Sequence, residues 1–365
     1  MPFADELLGR PQATQMTDLL ESAAGGRVLA ATREATDELT DLALGARSSH
    51  LAASLLADLP VPYGEFAAII RRGLESPALT GWMVWPVSNA VSAASIADGS
   101  DSAFDDGMQL LAELTPRLTC EWAVRAMLRS RLERSLEIML AWTKCHDEHV
   151  RRLASEGSRP YLPWGVRVAG ITSDARLAAP ILDALYRDES EYVRRSVANH
   201  LNDISRHDSA LVCELAGAWL ADGDENTPKL VRHALRTLVK RGDPAALGLL
   251  GFGSADVAVD GPTLDRTSIA LGEELLISAL IRNHGEVPVK LVVDYVVHHV
   301  KADGSRTPKT FKISTTTLDA GASLTIAKRH SIRPITTRRY HPGMHAVELQ
   351  VNGARHGFAE FELLP

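Results

Sequence analysis

One segment recurs three times in the middle of the chain and sets the strongest limit on what it can fold into. The copies read VRRLASEGSRP from Val150, VRRSVANHLNDISR from Val193 and VRHALRTLVKRGDP from Val231, and their starts are 43 and 38 residues apart. Spacings of this size are typical of HEAT-type repeats, in which pairs of helices stack on one another. The sequence therefore predicts an α-solenoid.

Periodicity within the second copy indicates which helix face is buried. An apolar stripe at helical spacing consists of Val193, Val197, Leu201 and Ile204. The opposite face carries Arg195, Asn199 and Asp203, and Arg152 and Glu156 occupy the matching row of the first copy. Stacking would gather these charged and amide groups along one wall, as in a binding surface. From these residues alone, Arg152 and Glu156 could equally be a solvated ion pair worth only about 0.3 kcal/mol.

The pattern changes near residues 251–254 and indicates two domains. Helical spacing of apolar residues predicts helices at 28–44, 63–74, 107–114, 120–131, 134–144, 148–156, 177–187, 191–204, 208–221 and 228–241. Beyond the change, runs of β-branched residues separated by turn signals lie at 274–281, 290–297, 309–314, 323–327 and 345–351. We predict a multi-domain, mainly α protein: a HEAT-like repeat α-solenoid at 1–252, followed at 256–365 by a small all-β, immunoglobulin-like sandwich of about seven strands.

Composition and motifs exclude several classes of protein. The chain has no dinucleotide or P-loop fingerprint, no HExxH and no CxxC, so we expect neither a metal nor a cofactor. The three cysteines, Cys120, Cys145 and Cys213, have no ligand-like spacing and are interpreted as reduced thiols. Because no long apolar run and no signal-peptide pattern occurs, we expect a cytoplasmic protein without membrane contact.

The net charge of −7 conceals two basic zones. The first 110 residues are acidic, but residues 117–176 carry eleven Lys and Arg against seven Asp and Glu. Residues 301–355 carry ten against three, mostly in 301–312 and 328–339. Local field matters more than total charge for a polyanion, so the pattern favours a phosphate backbone as partner.

Four stretches carry a resemblance to a known family. They are LTCEWAVR (118–125), VRRLASEGSRPYLPWG (150–165), VRRSVANHLNDIS (193–205) and LVRHALRTLVKRGDPAALGLLGF (230–252). They resemble the AlkC family of bacterial DNA glycosylases, and the β-rich tail resembles the immunoglobulin-like domain of one branch of that family. The resemblance implies base excision repair: hydrolysis of the N-glycosidic bond of cationic alkylated bases, chiefly 3-methyladenine and 3-methylcytosine, without a base-flipping pocket. The implied partner is double-stranded DNA, and we expect a monomer.

The resemblance also implies the catalytic residues, which are Glu121, Glu156, Trp164 and Asp203. A base alkylated on a ring nitrogen leaves as a neutral molecule and needs no general acid, while carboxylates stabilise the cationic sugar. The Trp164 ring would stabilise the same charge by cation–π attraction. Locally, we expect Glu121 in the first turn of a helix capped by Thr119, Trp164 at a loop-to-helix junction, and Asp203 at a helix end.

Arginines near these residues are candidate phosphate ligands, because a guanidinium can grip two phosphate oxygens at once. The predicted DNA-binding residues are Arg152, Arg159, Arg194, Arg195, Lys240 and Arg241. A second interpretation stays open: a non-catalytic HEAT-repeat scaffold that binds DNA or protein without cleaving a bond.

Overall fold

Helices occupy the chain as far as Leu249 and strands follow from Val257. The computed structural model describes residues 3–336 and 338–364. The α-helices are α1 (Phe3–Leu8), α2 (Arg10–Ala23), α3 (Ala30–Asp37), α4 (Leu44–Asp58), α5 (Tyr63–Leu74), α6 (Val84–Asp98), α7 (Asp101–Leu114), α8 (Val124–Ser130), α9 (Leu132–Trp142), α10 (Glu148–Gly157), α11 (Ala169–Ser173), α12 (Ala179–Leu185), α13 (Glu191–Ile204), α14 (Ser209–Ala221), α15 (Thr227–Ala234), α16 (Arg236–Arg241) and α17 (Pro244–Leu249). Short 3-10 helices lie at Gly81–Met83 and Ala175–Ala178. The predicted order, helices and then an all-β part, is confirmed.

The chain groups into two units. One comprises Met1–Leu211 with Asp222–Ala234, and the other comprises Val212–Ala221 with Leu235–Pro365. Helices α16 and α17 therefore group with the strands. Lys240 shows why: its carbonyl oxygen accepts hydrogen bonds from Thr310 Oγ1 at 3.1 Å and Gln350 Nε2 at 3.2 Å.

The three sequence repeats form helices that pack in order, α10 against α13 and α13 against α15. Helix α13 has the predicted bounds 191–204. Its predicted stripe is at most 2 % exposed and consists of Val193, Val197, Leu201 and Ile204. Burying each such side chain stabilises the fold by about 1.5–3 kcal/mol. Helix α10 starts at an Asp147 cap, whose carboxylate accepts from the backbone N–H of His149 at 2.7 Å.

Four helix predictions were wrong by more than two residues or at an interior position. The predicted helix 107–114 begins earlier, at Asp101. The predicted helix 28–44 stops at Asp37 in the structure. Leu39 lies in the loop after this helix and is buried, so the apolar spacing continues where the helix does not. The predicted helix 228–241 breaks at Leu235, whose ψ of 0° leaves the helical range. The predicted helix 120–131 begins only at Val124.

The C-terminal strands form two sheets. The strands are β1 (Val257–Leu264), β2 (Ser268–Ile269), β3 (Glu274–Asn283), β4 (Val289–Val300), β5 (Arg306–Leu318), β6 (Ser323–Ser331), β7 (Gly343–Val351) and β8 (Ala354–Leu363). One sheet has the order β1-β3-β6 and the other β2-β8-β7-β4-β5, and only the β2–β8 pair is parallel among the described strands. Both sheets contribute to one apolar core, for example Ile277, Val293 and Leu349. The sandwich prediction is confirmed, with eight strands in the described residues against about seven predicted.

The cysteines, all among the described residues, are free; Cys120 is buried and the other two are half-buried. No single helix of the described ranges is long and apolar enough to cross a membrane. Helices α4 and α5 pass that test only together, with a bend of 118° between them.

Candidate active site

Three carboxylates and two arginines form one alternating series of ion pairs, which we call the carboxylate network. Its members, in order, are Glu121, Arg152, Glu156, Arg159 and Asp203. Arg152 pairs with Glu121, and its Nη2 lies 3.4 Å from Oε1 of Glu156. Arg159 places Nη1 2.5 Å from the same Glu156 oxygen and Nε 2.9 Å from Oδ2 of Asp203. Three negative and two positive charges leave the network with one excess negative charge.

The packing of the repeats assembles this network. Arg152 and Glu156 lie one turn apart on α10, and Asp203 lies in the last turn of α13, the predicted helix end. Glu121 comes from the turn before α8, so its predicted place inside a helix is wrong. Thr119 caps that turn instead, because its Oγ1 accepts from the Glu121 N–H at 3.3 Å.

The carboxylates of the network are buried. Glu121, Glu156 and Asp203 are 7 %, 5 % and 3 % exposed. Burial raises the pKa of Asp203 above its ordinary range, and the bond from Arg159 opposes that shift. Burial also raises the pKa of Glu121, where Arg152 opposes it. Buried carboxylates are costly unless they are paired, and shifted pKa values cluster at functional sites.

The two ends of the network each keep one carboxylate oxygen available. Glu156 is fully engaged, since Oε1 meets both arginines and Oε2 accepts from Ser196 Oγ at 2.7 Å. At Asp203 the bond from Arg159 goes to Oδ2, and at Glu121 the hydrogen bonds go to Oε2. Within the described part of the chain no other group bonds to Oδ1 of Asp203 or Oε1 of Glu121. These two oxygens can therefore orient water or face a cation. Sequence reasoning missed Ser196, which no motif singles out.

Trp164 lies in the loop after α10 with an unusual backbone. Its φ is 61°, in the left-handed region that bulky residues rarely adopt. Its side chain is 74 % exposed and stacks on Trp122 with ring centroids 6.2 Å apart. The predicted loop-to-helix junction is wrong, because the next helix starts only at Ala169. A strained residue that presents an exposed indole indicates a contact surface.

Arg125 holds this loop in place, and sequence reasoning missed it. Its buried guanidinium donates to the carbonyl oxygens of Gly157 and Arg159, both at 2.9 Å, and to that of Val166. Burial lowers the pKa of Arg125 to about 10. A Cβ at Gly165 would lie 2.9 Å from Leu162 Cδ2 and 3.0 Å from Arg125 Cδ, so a larger residue there would require these side chains to shift. Arg125 stands in the quoted stretch 118–125, but sequence spacing alone does not distinguish a buried arginine from an exposed one.

The predicted phosphate ligands divide into three groups. Arg152 and Arg159 lie within the carboxylate network, with side chains 14 % and 10 % exposed. Arg194 donates to the carbonyl oxygens of Asp188 and Glu189, while Arg195 is 66 % exposed and 3.5 Å from Glu191. Lys240 and Arg241 end α16 and belong to the second unit.

Two family models match the chain in adjacent regions. The model described as "DNA alkylation repair enzyme" matches residues 109–238, which include the whole carboxylate network. The model described as "Uncharacterised protein YhaZ, C-terminal Ig-like domain" matches residues 258–365, which include the two-sheet sandwich except for its first residue, Val257.

Two individual proteins match over nearly the full length. The chain is 34 % identical to "Uncharacterized protein YhaZ" of Bacillus subtilis (strain 168) over 328 residues, which are 90 % of this chain and 89 % of the relative. The solved structure of Pseudomonas fluorescens alkylpurine DNA glycosylase AlkC, bound to DNA containing an abasic site analog, superposes with a TM-score of 0.88. The two sequences are 35 % identical, and the alignment covers 99 % of each chain.

Proposed function

Because this chain belongs to the AlkC family of DNA alkylation repair enzymes, we propose that it is a DNA glycosylase that excises cationic alkylated bases. The proposed reaction is hydrolysis of the N-glycosidic bond in base excision repair, with 3-methyladenine and 3-methylcytosine as the main substrates. The observation that carries the proposal is the carboxylate network: buried, negatively charged overall, and open at Asp203 Oδ1 and Glu121 Oε1.

The chemistry requires a negative environment for the sugar. When the glycosidic bond breaks, its electron pair moves onto the ring nitrogen and neutralises the cationic base. The deoxyribose is left with oxocarbenium character, which fixed carboxylates stabilise most effectively where water is excluded. Water then attacks the anomeric carbon and gives up a proton, leaving an abasic site. We assign water orientation and proton acceptance to Asp203 through Oδ1, and electrostatic stabilisation of the sugar to Glu121 and Asp203 together.

Glu156 has a different role in this proposal. Both of its oxygens are engaged by arginines and Ser196, so it holds Arg152 and Arg159 in position. Those two arginines in turn fix the carboxylates at the ends of the network. We therefore assign Arg152 and Arg159 to positioning the carboxylates, ahead of the phosphate contacts predicted from the sequence.

Trp164 supplies an aromatic surface on the exposed side of the site. Its ring face attracts positive charge, and at 74 % exposure it can contact a lesion in duplex DNA directly. Trp122 supports the ring by stacking, and its Nε1 donates to the carbonyl oxygen of Pro163 at 3.2 Å. We propose that this support keeps the indole in place while the base leaves.

We propose that the partner is double-stranded DNA and that the protein acts as a monomer in the bacterial cytoplasm. The basic excess of residues 301–355 supports phosphate contacts by the sandwich. Arg195, Lys240 and Arg241 remain candidate phosphate ligands.

The direct test is base release from methylated duplex DNA in the presence of EDTA, followed by chromatography of the released bases. We expect 3-methyladenine to be released at the same rate with and without the chelator, because the proposed chemistry uses only protein groups. The neutral base 8-oxoguanine, whose departure would require an acid, should stay on the DNA. Loss of activity in EDTA, efficient release of 8-oxoguanine, or no release of any alkylated base would contradict the proposal.

A further inference from the structure

Two arginines meet on one tyrosine ring beside the carboxylate network. The guanidinium carbon of Arg167 lies 4.1 Å from the Tyr161 ring centroid, and that of Arg206 lies 4.3 Å from it. The Tyr161 hydroxyl bonds Nε2 of His207, and Arg167 Nη1 donates to the carbonyl oxygen of Pro160 at 3.0 Å. The ring thus holds two cationic groups in a fixed arrangement.

These two arginines have no ion-pair partner among the residues that the structure describes. The two carboxylates nearest to Arg206 in sequence have other bonds. Asp203 accepts from Arg159, and Asp208 accepts from the backbone N–H of Leu211 at 2.8 Å. Both arginines are exposed. Two like charges on one ring repel each other, and a bound anion would reduce that repulsion.

The position of the pair relates it to the active site. Arg206 follows Asp203 by three residues, and Arg167 follows Trp164 by three residues on the same loop. Burial raises the pKa of Asp203, and the charges of Arg159 and Arg206 both oppose that shift, so Arg206 is within electrostatic reach of the carboxylate. An anion held here would lie at the edge of the site that receives the sugar.

We propose that Arg167 and Arg206, fixed by Tyr161, bind the phosphate backbone of the lesion-bearing strand next to the sugar at Asp203. The identity of the ligand as DNA rests on the proposed function. The planar fork of arginine suits phosphate oxygens, and prior stacking on the ring reduces the entropic cost of binding. Unlike Arg152 and Arg159, whose guanidiniums are occupied by carboxylates, these two arginines can bind an external anion.

The chain offers a matched control. Arg187 also lies over a tyrosine ring, that of Tyr186, at 5.1 Å from the centroid. It differs in having a carboxylate partner, Asp222, at 3.5 Å. Arg187→Ala therefore removes an exposed, ring-stacked arginine that already has an anion.

The experiment measures the affinity of the full chain for a duplex with a neutral abasic-site analogue across a salt series. We expect the double variant Arg167→Ala/Arg206→Ala to bind about tenfold or more weakly. The slope of log affinity against log salt should become smaller by roughly 0.9 for each phosphate that the variant no longer neutralises. Arg187→Ala should match the unchanged protein. Circular dichroism of each variant checks that it is folded.

A folded double variant with unchanged affinity and slope would overturn the inference. If the double variant instead fails to fold, the pair Arg167→Gln/Arg206→Gln, which keeps polar side chains but removes both charges, takes its place: weaker binding with a smaller salt slope supports the inference, and unchanged binding and slope overturn it. Failure of the proposed function gives a different result. A protein that releases no base but binds DNA through these arginines still shows the smaller salt slope in the double variant.

Discussion

Asp203→Asn is expected to lower the single-turnover rate of 3-methyladenine release by about tenfold or more, which corresponds to roughly 1.4 kcal/mol or more of transition-state stabilisation. The substitution keeps the size of the side chain but removes the negative charge and the proton acceptor. Glu156→Gln should also lower the single-turnover rate by about tenfold or more, because it removes the anion that holds both arginines of the network. Rapid mixing of DNA with excess enzyme measures the rates of both variants.

Asp188→Asn is the control for these variants. Asp188 is also a buried carboxylate paired with an arginine, with Oδ2 2.7 Å from Nε of Arg151 and a side chain 5 % exposed. It is not a member of the carboxylate network. Its neutralisation should reduce stability and leave the rate of the folded enzyme close to normal. Near-normal rates in both Asp203→Asn and Glu156→Gln would remove these carboxylates from the mechanism.

Arg159→Met should have the largest effect on stability. The guanidinium lies between Glu156 and Asp203, and its removal leaves Asp203 buried without its partner. Breaking a buried pair in this way costs about 3–5 kcal/mol of the free energy of unfolding. Urea denaturation of the variant and of the unchanged protein measures the difference.

The loss of stability in Arg159→Met should depend on pH in a defined direction. Burial already raises the pKa of Asp203 above 3.8, and removal of Arg159 raises it further. For a carboxyl whose pKa is raised on folding, stability is fully present below the unfolded pKa and is lost as pH rises through the folded pKa. Arg159→Met should therefore lose more stability at about pH 8 than at about pH 5. The acidic limb of its rate profile should also move to higher pH, because Asp203 must be ionised to act.

Arg151→Met is the matched control, since it likewise leaves a buried carboxylate, Asp188, without its arginine. Arg151→Met should destabilise the protein without moving the acidic limb of the pH–rate profile. If Arg159→Met kept the limb of the unchanged protein, Asp203 would not be the group whose ionisation governs the rate.

The sequence predicted secondary structure well where local periodicity decides it, and poorly where tertiary contacts decide it. Helix α13 was predicted with its full bounds, because its buried stripe repeats with the helical period and its neighbours are also helices. The prediction of a helix at 28–44 was too long because Leu39 is buried in the loop after α3. In a loop, the spacing of apolar residues carries no information about the backbone.

The same division applies to the candidate site. The repeat register placed Arg152, Glu156 and Asp203 on one wall, and the structure brings them into one network. Sequence could not predict that the arginines of this network are buried, because their partners Glu121 and Asp203 lie 31 and 44 residues away along the chain. The loop after α10 is bound by Arg125, whose three carbonyl partners are 32 to 41 residues away in sequence. The left-handed backbone of Trp164, which the sequence also did not predict, lies in the same loop.

The alternation of charges in the network explains how a site with three carboxylates can be buried. Burial raises the pKa of Glu121 and Asp203, and Arg152 and Arg159 oppose that shift by pairing with them. With all five groups charged, the series carries one excess negative charge. Fixed charge of this kind stabilises a developing cation without reorganising during the reaction.

The central claim is that this negative charge favours a cationic sugar, and one binding measurement tests it most directly. Two duplexes would be compared, identical except that one carries a neutral tetrahydrofuran abasic analogue and the other a ring-nitrogen analogue that is cationic at neutral pH. Since an enzyme binds its transition state more tightly than its substrate, a mimic of the sugar cation should be favoured. We predict tighter binding of the cationic analogue by about tenfold or more, and disappearance of that preference in Asp203→Asn. Equal affinity for the two analogues, or a preference that survives Asp203→Asn, would contradict the claim.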